Sequence, residues 1–231
     1  MDTLLLASAW VLPVLLAVTL HEAAHGWVAD KRGDDTARML GRVTFNPLKH
    51  IDAFGTVLLP ALLLVIHSPF LFGYAKPVPV SVYKLHSPRR DMALVAAAGP
   101  LANLFLGIVS ALSIRALVDV DFPRDQIDLV RWVGANLFNS IQINTMLFVF
   151  NLIPLPPLDG GRILAGLLPP VWGARVAAFE RKGMLILLLM LFILPMLGQM
   201  LGWRLNPLGW LVGIPAESLT EMLIGLTGLS P

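Results

Sequence analysis

The chain has 231 residues, 56% of them apolar and 14% charged, and a mean hydropathy of +0.75, a composition too oily for an ordinary soluble globule. A hydrocarbon core of about 30 Å needs roughly 20 apolar residues per helical crossing, so this length holds about four to six crossings, and a single membrane domain over residues 1–231 is expected. A net charge of +2 offers no basic stripe for nucleic acid, and the lack of cysteine excludes disulfides, Cys-ligated zinc, iron-sulfur clusters and thiol nucleophiles, which leaves histidine and carboxylate as metal ligands.

In chain order, the first apolar stretch covers residues 4–27; it has neither a basic leading segment nor a small-residue cleavage site, so it reads as retained. Lys31, Arg32, Arg38, Arg42 and Lys49 crowd the loop that follows, where residues 42–45 look extended because of Val43 and Thr44. A second apolar stretch, 54–72, is interrupted by Pro60 and broken at His67, Ser68 and Pro69. Residues 72–82 read as an edge strand, since Val78, Val80 and Val82 suit extension while Pro77 and Pro79 exclude helix. Lys76, Lys84, Arg89 and Arg90 form a second basic loop ahead of the third stretch, 92–114. The loop 119–131 sets Asp119, Asp121, Asp125 and Asp128 against Arg124 and Arg131 and carries no basic bias. Stretches 132–153 and 184–201 complete the set. In the tail beyond, Leu219, Met222, Leu223 and Leu226 lie opposite Glu217 and Glu221, the pattern of an interfacial amphipathic helix.

Basic loops favour the cytoplasmic side. If both face it, stretch 54–72 has no net crossing and is expected to be re-entrant or laid against the membrane; an ordinary crossing that breaks the charge bias is the alternative. The expected fold is therefore membrane all-α: a polytopic helical bundle of about five membrane segments, with a small membrane-associated β region and one re-entrant segment. A catalytic core over 1–168 would be followed by a membrane helix and the amphipathic tail, 169–231.

His21, Glu22 and His25 form H-E-x-x-H at the end of the first stretch. On a helix, positions i and i+4 stack on one face, so both imidazoles project together, and Glu22 lies about 100° round, able to hold a water beside a metal. Two interfacial histidines beside a capping glutamate are the bland reading of the same residues. A zinc hydrolase uses three protein ligands and leaves one position for water, so a third must come from elsewhere. Asp159 is the candidate, in Asn151-Leu-Ile-Pro154-Leu-Pro-Pro-Leu158-Asp159-Gly160-Gly161-Arg162, where prolines stop the incoming helix and glycines permit close backbone approach. Alone, Asp-Gly-Gly is equally a turn with a helix cap.

Together, His21-Glu22-Ala23-Ala24-His25 and Asn151-x-x-Pro154-x-x-x-x-Asp159-Gly160-Gly161 resemble the site-2 protease family of intramembrane zinc metalloproteases. The segments 72–80 and 98–103 are also similar to that family, above all to its short bacterial members without appended soluble domains, so the likeness covers roughly residues 18–165. The resemblance implies a three-helix catalytic core, one zinc ion per chain held by His21, His25 and Asp159, Glu22 as base and Asn151 as a polar contact to substrate. It further implies a membrane protein or peptide as substrate and lipid bilayer as surroundings; any gate is either the re-entrant segment and tail or a separate regulatory protein, and oligomeric state is open.

Asn136, Ser140, Asn144 and Asn151 fall on one arc of the fourth stretch, a polar stripe that either lines a cavity or hydrogen-bonds between helices. Gly99, Asn103, Gly107 and Ser110 make a small-residue face on the third, read as helix packing. His50, His67 and His86 read as interfacial. With an external amino terminus, the ends carrying His21, His25 and Asp159 meet near the cytoplasmic face of a multi-pass cell membrane protein, a bacterial inner membrane fitting best. The competing functions are a transporter, with these residues lining an ion path, and a metal-binding relative that does not cut.

Overall fold

The leucine- and alanine-rich opening sequence folds as one helix, α1 (Thr3–Lys31), in the computed structural model, which describes residues 3–65, 73–203 and 205–228. It stops where Gly33 takes a φ of +105°, left-handed backbone that only glycine adopts cheaply. A side chain at Gly33 would also meet the His86 ring and the Lys84 carbonyl. A single turn, α2 (Thr36–Met39), follows. Next, Asp52 accepts hydrogen bonds from the amides of Phe54 and Gly55 and so caps a π-helical turn, Ala53–Leu58, which continues into α3 (Leu59–Val65).

Helix α4 (Pro88–Val118) begins with Pro88 in its first turn, where a missing N–H costs nothing. Helix α5 (Ile127–Asn151) returns beside it. Two short helices, α6 (Asp159–Leu167) and α7 (Pro170–Ala177), lead to a continuous helical run of α8 (Glu180–Leu188), a π turn Leu189–Ile193 and α9 (Leu194–Leu201). A further π turn, Gly209–Gly213, opens α10 (Ile214–Leu226).

The bundle is built on α1, α4 and α5, each packed on the other two, with α6 against α4, α7 against α6 and α10 across α5 and α4. Its interior is glued by polar contacts as well as apolar ones, as expected where lipid makes apolar burial alone a weak drive. Trp132 Nε1 donates to Ser8 Oγ at 2.9 Å and Asn139 Nδ2 to Ala9 O at 3.0 Å, joining α5 to α1. Ser110 Oγ donates to Ser140 Oγ at 2.7 Å and Asn103 Nδ2 to Asn144 Oδ1 at 2.8 Å, joining α4 to α5.

Among the described residues, three helices are long and apolar enough to cross a membrane: Ser8–Lys31, Pro88–Val118 and Glu180–Leu201. Helix α5 matches them in length, with 25 residues, but its asparagines lower its hydropathy and keep it out of that set. Of the five expected membrane segments, then, three meet that measure. The stretch 54–72 is described only to Val65, as six residues of π helix and seven of α helix. A helix of that length reaches about 20 Å, short of a bilayer core. The expected return through His67, Ser68 and Pro69, like the start of the next segment at Phe72, lies outside the described residues.

One expectation is corrected. The β region does not form: among the described residues no strand is present, and 73–81 runs without regular pairing. Pro77 and Pro79 lack the N–H groups a ladder needs, and the donors that remain go elsewhere, Tyr74 N to Gly55 O, Lys76 N to His50 O and Ser81 N to the buried Asp34 carboxylate. Of the two readings of the α5 polar stripe, interhelical hydrogen bonding holds at Ser140 and Asn144. Ser140 and Asn144 bond into α4, and Asn136 donates to Trp132 O within its own helix. The tail helix packs on the bundle. Leu223 is buried in a cluster with Ala111 and Ile141, and Thr220 shares a hydrogen bond with Thr145 at 2.7 Å. The expected apolar face is split, Leu219 and Leu223 turning inward while Met222 and Leu226 are exposed.

Leu223→Ala should therefore loosen α10 and destabilise the protein by about 2 kcal/mol, the low end for a buried leucine because a lipid or detergent alternative is itself apolar. Met222→Ala, at an exposed site on the same turn, should leave the thermal midpoint in detergent unchanged.

Candidate metal centre

Helical spacing puts His21 and His25 on one face of α1, and α4 runs past that face with Val95, Gly99 and Asn103 at matching four-residue steps. Each imidazole is held by a partner from α4. His25 Nδ1 lies 2.7 Å from Val95 O, and His21 Nδ1 lies 2.6 Å from Asn103 Oδ1. Between them, a side chain at Gly99 would run into both imidazole rings, so glycine is required for α4 to come this close. The two rings meet edge to face at 87°, their centroids 4.7 Å apart.

Asp159 arrives from the far end of the chain at the first position of α6. The turn from Leu152 to Leu158 folds back over this helix start, and glycine makes that possible. A side chain at Gly160 would strike the carbonyls of Leu152 and Ile153, and one at Gly161 the backbone at Leu155 and Pro156. Asp159 Oδ2 stands 3.2 Å from His21 Nε2 and 3.3 Å from His25 Nε2, while the two Nε2 atoms are 3.1 Å apart. All three side chains are buried.

The donor set fits a metal. Val95 O can only accept, so His25 Nδ1 carries the proton and its Nε2 presents a lone pair. Three acceptor atoms then face one another in a buried space, an arrangement that repels unless a proton or cation sits among them. Ligands at about 2.0–2.1 Å from a tetrahedral ion are separated by about 3.3 Å, close to the three distances here. His21, His25 and Asp159 form a three-ligand group of the kind expected for a metal ion.

Glu22 sits one residue along α1, half-buried, and its Oε2 accepts the Val78 amide at 2.7 Å. Val78 is the one residue between Pro77 and Pro79 able to donate. It approaches because Gly26 leaves room, a side chain there meeting Val43 Cγ2 at 3.0 Å and Val78 Cγ1 at 3.2 Å. Beside this segment runs a groove of about 660 Å³, walled by Pro77, Val78 and Pro79 on one side and by Gly161, Ala165 and Ala174 on the other.

The residues expected at a metal, His21, His25 and Asp159, are thus brought together. Asn151 is not among them: it ends α5, and its Nδ2 donates to Leu147 O at 3.1 Å. Sequence reasoning missed Asn103 as a partner of His21 and treated it, with Gly99, as helix packing. The available signal was an asparagine between small residues in an oily helix, four positions from Gly99. Val95 and Val78 act through backbone atoms, which no side-chain pattern advertises.

The profile of peptidase family M50 matches the chain over residues 9–130 and 126–195. YwhC of Bacillus subtilis (strain 168) is 40% identical over 195 residues, covering 84% of this chain and 83% of that protein. Rip2 of Mycobacterium tuberculosis (strain ATCC 25618 / H37Rv) is 30% identical over 204 residues, 88% of this chain and 73% of its own length. MJ0392 of Methanocaldococcus jannaschii is 28% identical over 187 residues, 79% of this chain and 42% of its own. All three carry "zinc metalloprotease" in their names. No solved structure matches the chain.

Gly99→Ala should displace both imidazoles and lower the metal content of purified protein, read by elemental analysis, as far as His25→Ala does. Gly225→Ala, where a side chain meets open space, should leave the metal content at the wild-type value.

Proposed function

The chain belongs to peptidase family M50, the site-2 protease family that its motifs resemble, and from that membership we propose that it is an intramembrane zinc metallopeptidase cutting peptide bonds of membrane-spanning or membrane-associated proteins. The observation that carries this reading is the convergence of His21 Nε2, His25 Nε2 and Asp159 Oδ2 within 3.3 Å of one another, with a carboxylate, Glu22, on the next residue of the same helix. One zinc ion per chain would be held by those three atoms. Zinc supplies Lewis acidity for a carbonyl oxygen and brings the pKa of water to about 7.

The remaining work falls to the chain. Glu22 has one oxygen engaged by the Val78 amide, which sets the orientation of its carboxylate; its other oxygen takes the proton of the attacking water and returns it to the leaving amine. Asn151 keeps one amide hydrogen beyond the one given to Leu147 O, and that hydrogen meets the charge developing on the carbonyl oxygen, a contact of a kind worth about 2.7–4 kcal/mol.

A helical substrate hides its carbonyls in its own hydrogen bonds and must be extended before attack. The groove beside residues 77–79 suits an extended chain. Tyr74, Lys76 and Val78 commit their amides to Gly55 O, His50 O and the Glu22 carboxylate. The basic residues of 31–49 and 76–90 cluster at the end of the bundle that carries the metal ligands, which supports a site opening toward the cytoplasmic face of a bacterial inner membrane.

The test is cleavage of a labelled single-span peptide by purified protein in liposomes. Glu22→Gln should lower the rate by about 10²–10⁴-fold with zinc content unchanged, and chelation should abolish cleavage until zinc is returned. Equal cleavage by Glu22→Gln removes the mechanism. Zinc uptake into the vesicles without cleavage would favour a transporter instead.

A further inference from the structure

We propose that Asn103 is a positioning residue that fixes the tautomer and direction of His21, so that the α4 face bearing Gly99 and Asn103 belongs to the metal site rather than to helix packing alone. The inference rests on the metallopeptidase reading and adds to it a determinant of metal affinity outside the ligand set.

The side chain of Asn103 is fully buried, and its hydrogen bonds leave no freedom in how its amide is placed. Nδ2 lies 3.1 Å from Ala17 O and 2.8 Å from Asn144 Oδ1. Ala17 O is a carbonyl and can only accept, so the atom facing it must be the amide nitrogen. A second anchor gives the same answer independently. Asn144 Nδ2 lies 2.8 Å from Ser140 O, again a carbonyl, which turns Asn144 Oδ1 toward Asn103 and requires a donor there.

With both amide hydrogens so committed, Asn103 presents Oδ1 to His21 Nδ1 at 2.6 Å. That nitrogen must therefore carry the ring proton, and Nε2 must present its lone pair toward His25 and Asp159. Backbone carbonyls on α1 and α5 thus decide, through two asparagines, which nitrogen of His21 is free to bind a metal. His25 has the same assignment from a single backbone carbonyl, Val95 O; His21 needs a side chain because the α4 position opposite it lies two turns further along.

Hydrogen-bonded partners of ligating histidines set ring orientation and basicity, and losing one typically costs about 10–100-fold in metal affinity. In full-length protein purified in detergent, zinc affinity is measured by chelator competition, and the visible spectrum of the cobalt-substituted form reports ligand geometry. Asn103→Leu should bind zinc about 10–100-fold more weakly and alter the cobalt spectrum. Leu223→Ala, which loosens the packing of α10 beside Gly107 and Asn144 without removing any of these hydrogen bonds, is the control for general loosening and should keep wild-type zinc affinity and spectrum. Asn103→Asp keeps an acceptor toward His21 Nδ1 while losing both donors; it should recover most of the affinity and the wild-type spectrum although its thermal midpoint is lowered.

Wild-type affinity in Asn103→Leu would overturn the proposal, as would equal losses in Asn103→Leu and Leu223→Ala. If Asn103→Leu does not fold, Asn103→Asp decides alone, a displaced cobalt spectrum counting against the proposal. His21→Ala separates this inference from the reading beneath it: zinc bound as tightly by His21→Ala as by wild type means the metal centre itself is wrongly placed, whereas a weakened His21→Ala beside an unaffected Asn103→Leu sinks only the role of Asn103.

Discussion

Three electron-rich atoms, His21 Nε2, His25 Nε2 and Asp159 Oδ2, are held within 3.3 Å of one another inside a helical bundle. Buried acceptors without donors are costly, and more so where no water can reach them. The surrounding fold is organised around sustaining that arrangement. Helix α4 runs along α1 with its four-residue steps in register with the two histidines, Gly99 removes the side chain that would push the rings away, and the proline-rich turn after α5 folds tightly enough to deliver Asp159 at a helix start. A cation among these atoms would relieve their mutual repulsion.

The same demand for satisfied polar groups shapes the segment 73–81. Backbone that leaves helical geometry near a membrane survives only where protein or water takes its hydrogen bonds. Here the partners are a loop carbonyl for Lys76, the Glu22 carboxylate for Val78 and the Asp34 carboxylate for Ser81, while Arg42 Nη2 donates to Lys76 O at 2.6 Å. A strand would have met these needs with another strand; side chains meet them instead. One consequence is chemical, because the amide that completes this segment is also the one that orients Glu22.

Polar residues do comparable work between the helices. Asn139 and Asn144 on α5 reach α1 and α4, and the second of these contacts continues through Asn103 to His21. The run Glu180–Leu201 behaves differently. Only 17% of its apolar window is buried, against 39% for Pro88–Val118, so this helix is turned mainly toward its surroundings. It comes close to the turn before α6 at Gly183, where a side chain would overlap Pro156 O.

Much of this was legible in the residues themselves. Apolar runs of the right length set the long helices, prolines and glycines marked where they stop, and H-E-x-x-H needed nothing beyond helical periodicity, since a four-residue step places two rings on one face wherever the helix lies. The identity of the third ligand could be nominated from its setting, but its meeting with the histidines depends on how α1, α4 and α6 pack. What only the tertiary structure decided is who answers each polar group. Proline-flanked extended chain took side chains in place of a sheet, the tail helix hid Leu223 and exposed Met222, and Asn103, which reads as packing, turned out to face an imidazole. Spacing along a chain is fixed by covalent geometry and can be read in one dimension; a hydrogen-bond partner is chosen by which faces come together, and that is a property of the whole bundle.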